Sequence, residues 1–322
     1  MKTIFVTIPS YEDPELIDTL DSAFENAAFP GKIHISVALQ YKKVPMPDVN
    51  KYMKRPGIKF TYYDVDTRPG ITQLRHNLSK LHDGEDYFLM IDSHTKFIKN
   101  WDLILIQEYE KIVSDSKNDK VIISQLASGF GIICDCYNTN SVCEKNHSVS
   151  YYSLANNFKE IFPDAESVFR ISMIKKEDMV ISATNYYVSG GASGQFFFTN
   201  KKWLEEVGII DGVQFAGEEA TLTFRSYISG WTFYGLKNIY CLLHNNINYN
   251  IVVYGKESPT KRYTKVRDYR VVLREVKKLL ILNAGPFAIK KYKKTAEQFW
   301  KSLGISDLEY QLLVESFENS TY

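Results

Sequence analysis

Short apolar runs alternate with amphipathic stretches through the first hundred residues. Thr3–Ile8, Ile33–Gln40 and Ile58–Val65 are rich in apolar and β-branched residues and read as strands. Pro9 to Pro14 turns out of the first of these, and a loop with Pro45, Pro47 and Pro56 follows the second. Glu15–Asn26 carries Leu16, Leu20 and Phe24 at helical spacing, with Pro14 at its first turn. Arg68-Pro69-Gly70 leads into a second helix from about Ile71 to Leu81. Tyr87–Ile91 is then a continuous apolar run, the pattern of a strand buried on both faces of a parallel sheet. Strand and helix alternate, so the expected class is α/β, a mostly parallel central sheet flanked by helices.

Further along, Lys120–Gln125, Gln195–Thr199, Trp231–Tyr234 and Ile239–Leu243 read as strands. Lys201–Val207 reads as a short helix, and Gly217-Glu218-Glu219 opens another to about Ile228. Residues 134 to 170 are poorly periodic and read as a long excursion over the sheet. From 256 to 301 basic residues far outnumber acidic ones, with helical spacing through Val271, Leu273, Val276, Leu279 and Leu280. The remainder, to Tyr322, reads as a terminal helical piece.

With 322 residues and 44% hydrophobic content the chain can bury a large core. A net charge of +1 carries no global signature of nucleic-acid or membrane binding. MKTIFVTIPSYEDPE reads as a first strand rather than a signal peptide. No run approaches the roughly 18 apolar residues that span a bilayer. The expected location is therefore cytoplasmic, with no membrane partner. No G-x-G-x-x-G follows the first strand and no Walker motif occurs, so neither a dinucleotide fold nor a P-loop is supported.

Candidate chemistry centres on Asp92-Ser93-His94, directly after the central apolar run. In open α/β sheets ligands bind at the carboxyl ends of strands, where this carboxylate and imidazole can face one ion. Carboxylate plus imidazole suits Mn2+ or Mg2+, with Mn2+ better matched to the nitrogen. A nucleotide diphosphate would complete such a site with its own oxygens. A polar turn after a buried strand is the plainer reading. Arg75 precedes this segment on a helix and is placed to pair with phosphate or with Asp92; the alternative is a surface ion pair. His244, after a later strand, is a candidate third metal ligand or a structural histidine. Glu218 and Glu219 at a helix start either hold an acceptor hydroxyl or complement the helix dipole. Gly190, Gly191 and Gly194 allow close backbone approach to a sugar, or a tight turn. Cys134, Cys136, Cys143 and His147 have the ligand types for structural Zn2+, but C-x-C is shorter than the usual spacing, and reduced buried cysteines are the plainer account.

Taken together, the segments resemble the N-acetylglucosaminyltransferases that glycosylate hydroxyproline on the adaptor subunit of SCF ubiquitin ligases, with their bacterial and viral relatives. The matching stretches are IFVTIPSYEDPEL, GITQLRHNLSKLHDGEDYFLMIDSHTKF, GASGQFFF, FAGEEATLTFRSYISGWTFYG and LNAGPFAIKKYKKTAEQFWKSLGI, in the family's order over nearly the whole chain. The chain departs from the family at Glu12, where a basic residue is expected. The resemblance implies a GT-A glycosyltransferase fold, a UDP-sugar donor bound through a divalent metal, and transfer with retention. It implies that Asp92 and His94 are a variant of the D-x-D metal motif, Arg75 a donor-side arginine, and Glu218 and Glu219 an acidic pair on the acceptor side.

The expectation is a metal-dependent glycosyltransferase moving N-acetylglucosamine from a UDP-sugar to a protein or glycan hydroxyl. Asp92 and His94, with His244, would hold the metal, and Glu218 or Glu219 would serve catalysis at the acceptor. Pro9, Ser10, Tyr11 and Asp13, with Asp64, Asp66, Arg75 and Asp92, are the candidates for the donor. The expected domains are 1–255, catalytic (donor half about 1–125, acceptor half about 126–255), and 256–322, a basic helical C-terminal extension. Two alternatives stand beside this reading: a UDP-hexose transferase acting on a glycan or on hydroxylated bases in nucleic acid, and a sugar-nucleotide-binding or lectin-like protein without turnover.

Overall fold

The computed structural model describes residues 1–42, 45–67, 69–124, 191–213, 217–236, 269–302 and 305–319, with short segments at 128–129, 150–151, 172–173, 186–189 and 242–244. The first half is built from β1 (Ile4–Tyr11), α1 (Leu16–Glu25), β2 (Ile33–Gln40), α2 (Asn50–Met53), β3 (Ile58–Tyr62), α3 (Ile71–Ser79) and β4 (Tyr87–Ile91). β5 (Thr95–Phe97), α4 (Trp101–Ser116), β6 (Val121–Ser124) and the short β7 (Ser128–Gly129), β8 (Ser150–Tyr151), β9 (Ser172–Met173) and β10 (Tyr186–Val188) follow. The chain continues through β11 (Phe196–Asn200), α5 (Lys201–Glu206), α6 (Glu218–Ile228), β12 (Thr232–Leu236), β13 (Leu242–His244), α7 (Tyr269–Leu282), α8 (Ala296–Ser302) and α9 (Asp307–Asn319).

Among the described residues the main sheet has eight strands in the order β10-β12-β6-β11-β4-β1-β2-β3. β3, β2, β1 and β4 run parallel, whereas β11 lies antiparallel between β4 and β6. The chain steps outward from β1 to β2 and β3, then crosses back to lay β4 on the other side of β1. This reversal makes the β1/β4 boundary a topological switch point, where ligands bind beyond the strand ends.

Alternation along β4 explains its unbroken apolar run. Phe88 and Met90 face one core with Phe197, Trp203, Phe224 and Leu279. Leu89 and Ile91 face the other, with Leu16, Leu20, Trp101 and Leu105 of α1 and α4. The C-terminal helices belong to the first core: Val276, Leu280, Phe299 and Trp300 are buried in it. Val271, expected on the packed face of α7, points to solvent.

Several boundaries differ from expectation. β1 runs through Pro9 to Tyr11 rather than ending at Ile8. Its pairing with β4 stops at Thr7↔Met90, while pairing with β2 continues to Tyr11↔Gln40. Pro9 thus lies where only one side of the strand is paired, a position that tolerates a missing N–H. β3 ends at Tyr62, not Val65, because Asp64 accepts the Asp66 N–H at 2.9 Å and turns the chain. The proline loop holds α2, and α4 is a helix beyond those expected. β5, β13 and β7 form a separate three-stranded sheet. The Cys134–His147 segment lies outside the described residues. No helix among the described residues is long and apolar enough to cross a membrane.

Candidate active site

Asp92 is the first residue after β4, at the switch point. The turn that follows is held from beneath by α1. Thr19 donates to the Ser93 carbonyl at 2.6 Å and accepts the Thr95 N–H at 3.0 Å, while Thr95 Oγ1 donates to the Asp92 carbonyl at 2.9 Å. Thr19 interrupts the apolar stripe of Leu16, Leu20 and Ala23, a polar residue at a core position. That is the one sequence sign of its role.

The neighbouring strand end supplies the second wall. Glu12 has a φ of 53°, and Lys42 N–H donates to its carboxylate at 2.9 Å. Asp13 is completely buried. Its Oδ1 accepts the Glu15 N–H at 2.9 Å. Its Oδ2 faces the Ser93 hydroxyl and, at 2.8 Å, His94 Nδ1. Ser10 is equally buried, with its hydroxyl 2.6 Å from that of Tyr41, which donates to the Asp13 carbonyl at 2.7 Å. The Ser10 and Asp13 side chains therefore brace the turn from behind and face the protein. Of the expected donor contacts on this turn, the half-buried Tyr11 reaches solvent.

Asp92 has a divided carboxylate. Oδ1 accepts from Arg75 Nη2 at 2.9 Å, and Oδ2 stands 3.8 Å from His94 Nε2. Arg75 projects from α3, and its side chain is 2% exposed. It also donates from Nη1 to Glu218 Oε1 at 2.7 Å and from Nη2 to the Gly194 carbonyl at 2.7 Å. Asp92, one of its two expected partners, is thus in contact with it. Burial opposes the guanidinium charge, yet Glu218 and Asp92 outweigh it and raise the Arg75 pKa above its ordinary value. Burial raises Glu218 above the usual carboxyl value against the pull of Arg75. For His94 burial works against protonation, but the Asp13 hydrogen bond and the Asp92 charge prevail, and its pKa is raised.

Gly194 ties the two ends together. Its N–H donates to Glu219 Oε1 at 3.0 Å while its carbonyl accepts from Arg75. A Cβ at this position would stand 2.5 Å from Arg75 Nη1. The need for glycine is thus one of space, against a buried guanidinium with three bonds to keep. Gly194→Ala is expected to destabilise the protein by about 1–3 kcal/mol, the usual penalty of overpacking. Urea unfolding measures it, and a variant as stable as the wild type would contradict this packing.

The structure thus brings Asp92, His94, Arg75, Glu218 and Glu219 into one connected group. Asp64 and Asp66 stand apart, exposed beyond β3, with Asp66 paired to Lys42. The backbone of His244 lies opposite Thr95 in the β13–β5 pair, one residue from His94. Among the described residues no group of three or more His, Cys, Asp or Glu is arranged to hold a metal ion.

The glycosyltransferase (GlcNAc) family model matches residues 3–55 and 41–274. No curated protein matches the chain. Among solved structures, GalNAc-T7 with UDP, GalNAc and Mn2+ superimposes with a TM-score of 0.59 at 15% identity, covering 98% of this chain and 56% of that one. The chain therefore spans little more than half the length of that neighbour. S. aureus TarS 1–349 in complex with UDP-GlcNAc superimposes with a TM-score of 0.51 at 12% identity, covering 97% of this chain and 73% of that one. At such identities the likeness is one of fold, and that fold is GT-A.

Proposed function

The chain belongs to the GlcNAc glycosyltransferase family, and from that membership we propose that it transfers N-acetylglucosamine from its UDP-activated form to a protein or glycan hydroxyl, with a divalent cation held at Asp92 and His94. The observation that carries this reading is the approach of Asp92 Oδ2 and His94 Nε2 to 3.8 Å at the switch point. The donor set fits a cation. Two ligands each about 2.1 Å from one ion stand at most about 4.2 Å apart. A carboxylate and an imidazole favour Mn2+ over Mg2+, and few protein ligands leave room for phosphate oxygens. His244 is the proposed third ligand, on the strength of its register opposite Thr95. When bound, the cation supplies positive charge where the departing diphosphate becomes negative. The complexes of GalNAc-T7 with UDP and Mn2+ and of TarS with UDP-GlcNAc, which share the fold, support the choice of donor and metal.

In this reading Arg75 acts within the protein. It fixes one Asp92 oxygen and turns the other toward His94. Glu219, half-buried beside Gly194, orients the acceptor hydroxyl, and Glu218 supports it through Arg75. Tyr11, Asp64 and Asp66 are proposed for the nucleoside. Retention at the anomeric carbon is carried over from the family resemblance, with no protein nucleophile assigned.

UDP release from a panel of UDP-sugars, with Mn2+ or with EDTA, tests the proposal without knowledge of the acceptor. Release is expected from UDP-N-acetylglucosamine, abolished by EDTA and restored by excess Mn2+. No release from any donor, together with no metal-dependent UDP binding, would overturn it.

A further inference from the structure

We infer that Asp13 is a positioning residue for the cation site, acting through His94 by holding the proton on Nδ1 and so directing the Nε2 lone pair at the ion. The inference rests on the metal reading above and assigns a role that neither family membership nor the sequence pattern supplies.

Asp13 is completely buried, so it faces protein and not donor. Its Oδ1 accepts the Glu15 N–H, and its Oδ2 lies against the Ser93 hydroxyl and, at 2.8 Å, His94 Nδ1. Oδ1 accepts from the Glu15 N–H and Oδ2 from the Ser93 hydroxyl, so Asp13 faces His94 as an acceptor and the imidazole presents its N–H on Nδ1. The neutral ring then carries its lone pair on Nε2, the nitrogen 3.8 Å from Asp92 Oδ2. A carboxylate behind a histidine in this way fixes both tautomer and ring orientation for metal ligation. The topology makes the arrangement: β1 and β4 pair side by side, and their continuations carry Asp13 and His94 to the same point.

Two measurements test this. The first is the tautomer of His94 in the metal-free wild type, read by nitrogen-15 NMR at an alkaline pH where the ring is neutral. Nδ1–H supports the inference, and Nε2–H overturns it. The second is Mn2+ affinity by electron paramagnetic resonance, in the presence of UDP, for wild type, Asp13→Asn, His94→Ala and the double variant. Asp13→Asn is expected to weaken binding about 10- to 100-fold. In the His94→Ala background it should add less than about twofold, because the contact through which it acts is gone. Equal losses in both backgrounds mean a merely structural role and overturn the inference. Wild-type affinity in Asp13→Asn overturns it while leaving the metal reading intact. No Mn2+ binding by the wild type overturns both. If Asp13→Asn does not fold, the wild-type tautomer alone decides.

Discussion

Arg75→Met is expected to lower stability by about 3–5 kcal/mol, the usual result of removing one partner from a buried ionic network. Methionine fills similar volume, so the loss is electrostatic rather than a cavity. Glu218 is left buried without its 2.7 Å partner, the Gly194 carbonyl loses its donor, and Asp92 loses the anchor on Oδ1. Burial already raises the Glu218 carboxyl, and removing the guanidinium removes the opposing pull. A carboxyl whose folded pKa lies above its unfolded value favours the fold below the unfolded pKa, and that contribution is lost as pH rises. The deficit of the variant should therefore grow from mildly acidic to mildly alkaline pH. Arg75→Lys should recover little, since one ammonium cannot reproduce the planar fork that reaches Glu218, Asp92 and Gly194 together. Urea unfolding at several pH values measures this. A variant within about 1 kcal/mol of wild type would show that the network is not holding the two halves of the site.

The strand-helix alternation of the first hundred residues was legible because each element declares itself locally. The run YFLMI needs burial on both faces, and it is buried on both. The Asp92-Ser93-His94 turn was legible because a carboxylate and an imidazole end that run. What was not legible depends on contacts remote in sequence. Pro9 looked like a strand end, but its tolerance follows from the early end of pairing with β4. In α4, Trp101, Leu105, Tyr109 and Ile112 do form a buried stripe, yet the helix follows so closely on the Asp92 turn that its pattern merges with the chemistry before it. Gly194 reads from the sequence as a close approach to a sugar or as a tight turn. Only the fold shows that its hydrogen is required by Arg75, which arrives from α3. Asp13 read as a donor contact because it sits in a turn at a strand end. Its burial behind His94 is a property of two strands meeting, which neither strand records alone.

Asp92→Asn should separate chemistry from folding where Arg75→Met strikes both. The amide keeps the shape of the carboxylate and leaves an oxygen for Arg75, which retains Glu218 and Gly194. Asp92 is a quarter exposed, so a neutral side chain there strands no deeply buried charge. Stability should stay within about 1 kcal/mol of wild type. The charge facing His94 Nε2 is lost, however, and with it a ligand of the proposed cation. Donor hydrolysis should fall by about 100- to 10,000-fold, equivalent to roughly 3–5 kcal/mol of transition-state stabilisation. The form of the loss is informative. If Asp92 serves mainly to bind the cation, raising Mn2+ should recover part of the rate. If it also orients the bound cation, saturation with Mn2+ will leave the rate low. Thermal melts and UDP release across a Mn2+ titration distinguish these outcomes. Undiminished release at limiting Mn2+ would mean that the cation binds elsewhere and that the Asp92 turn only closes the end of β4.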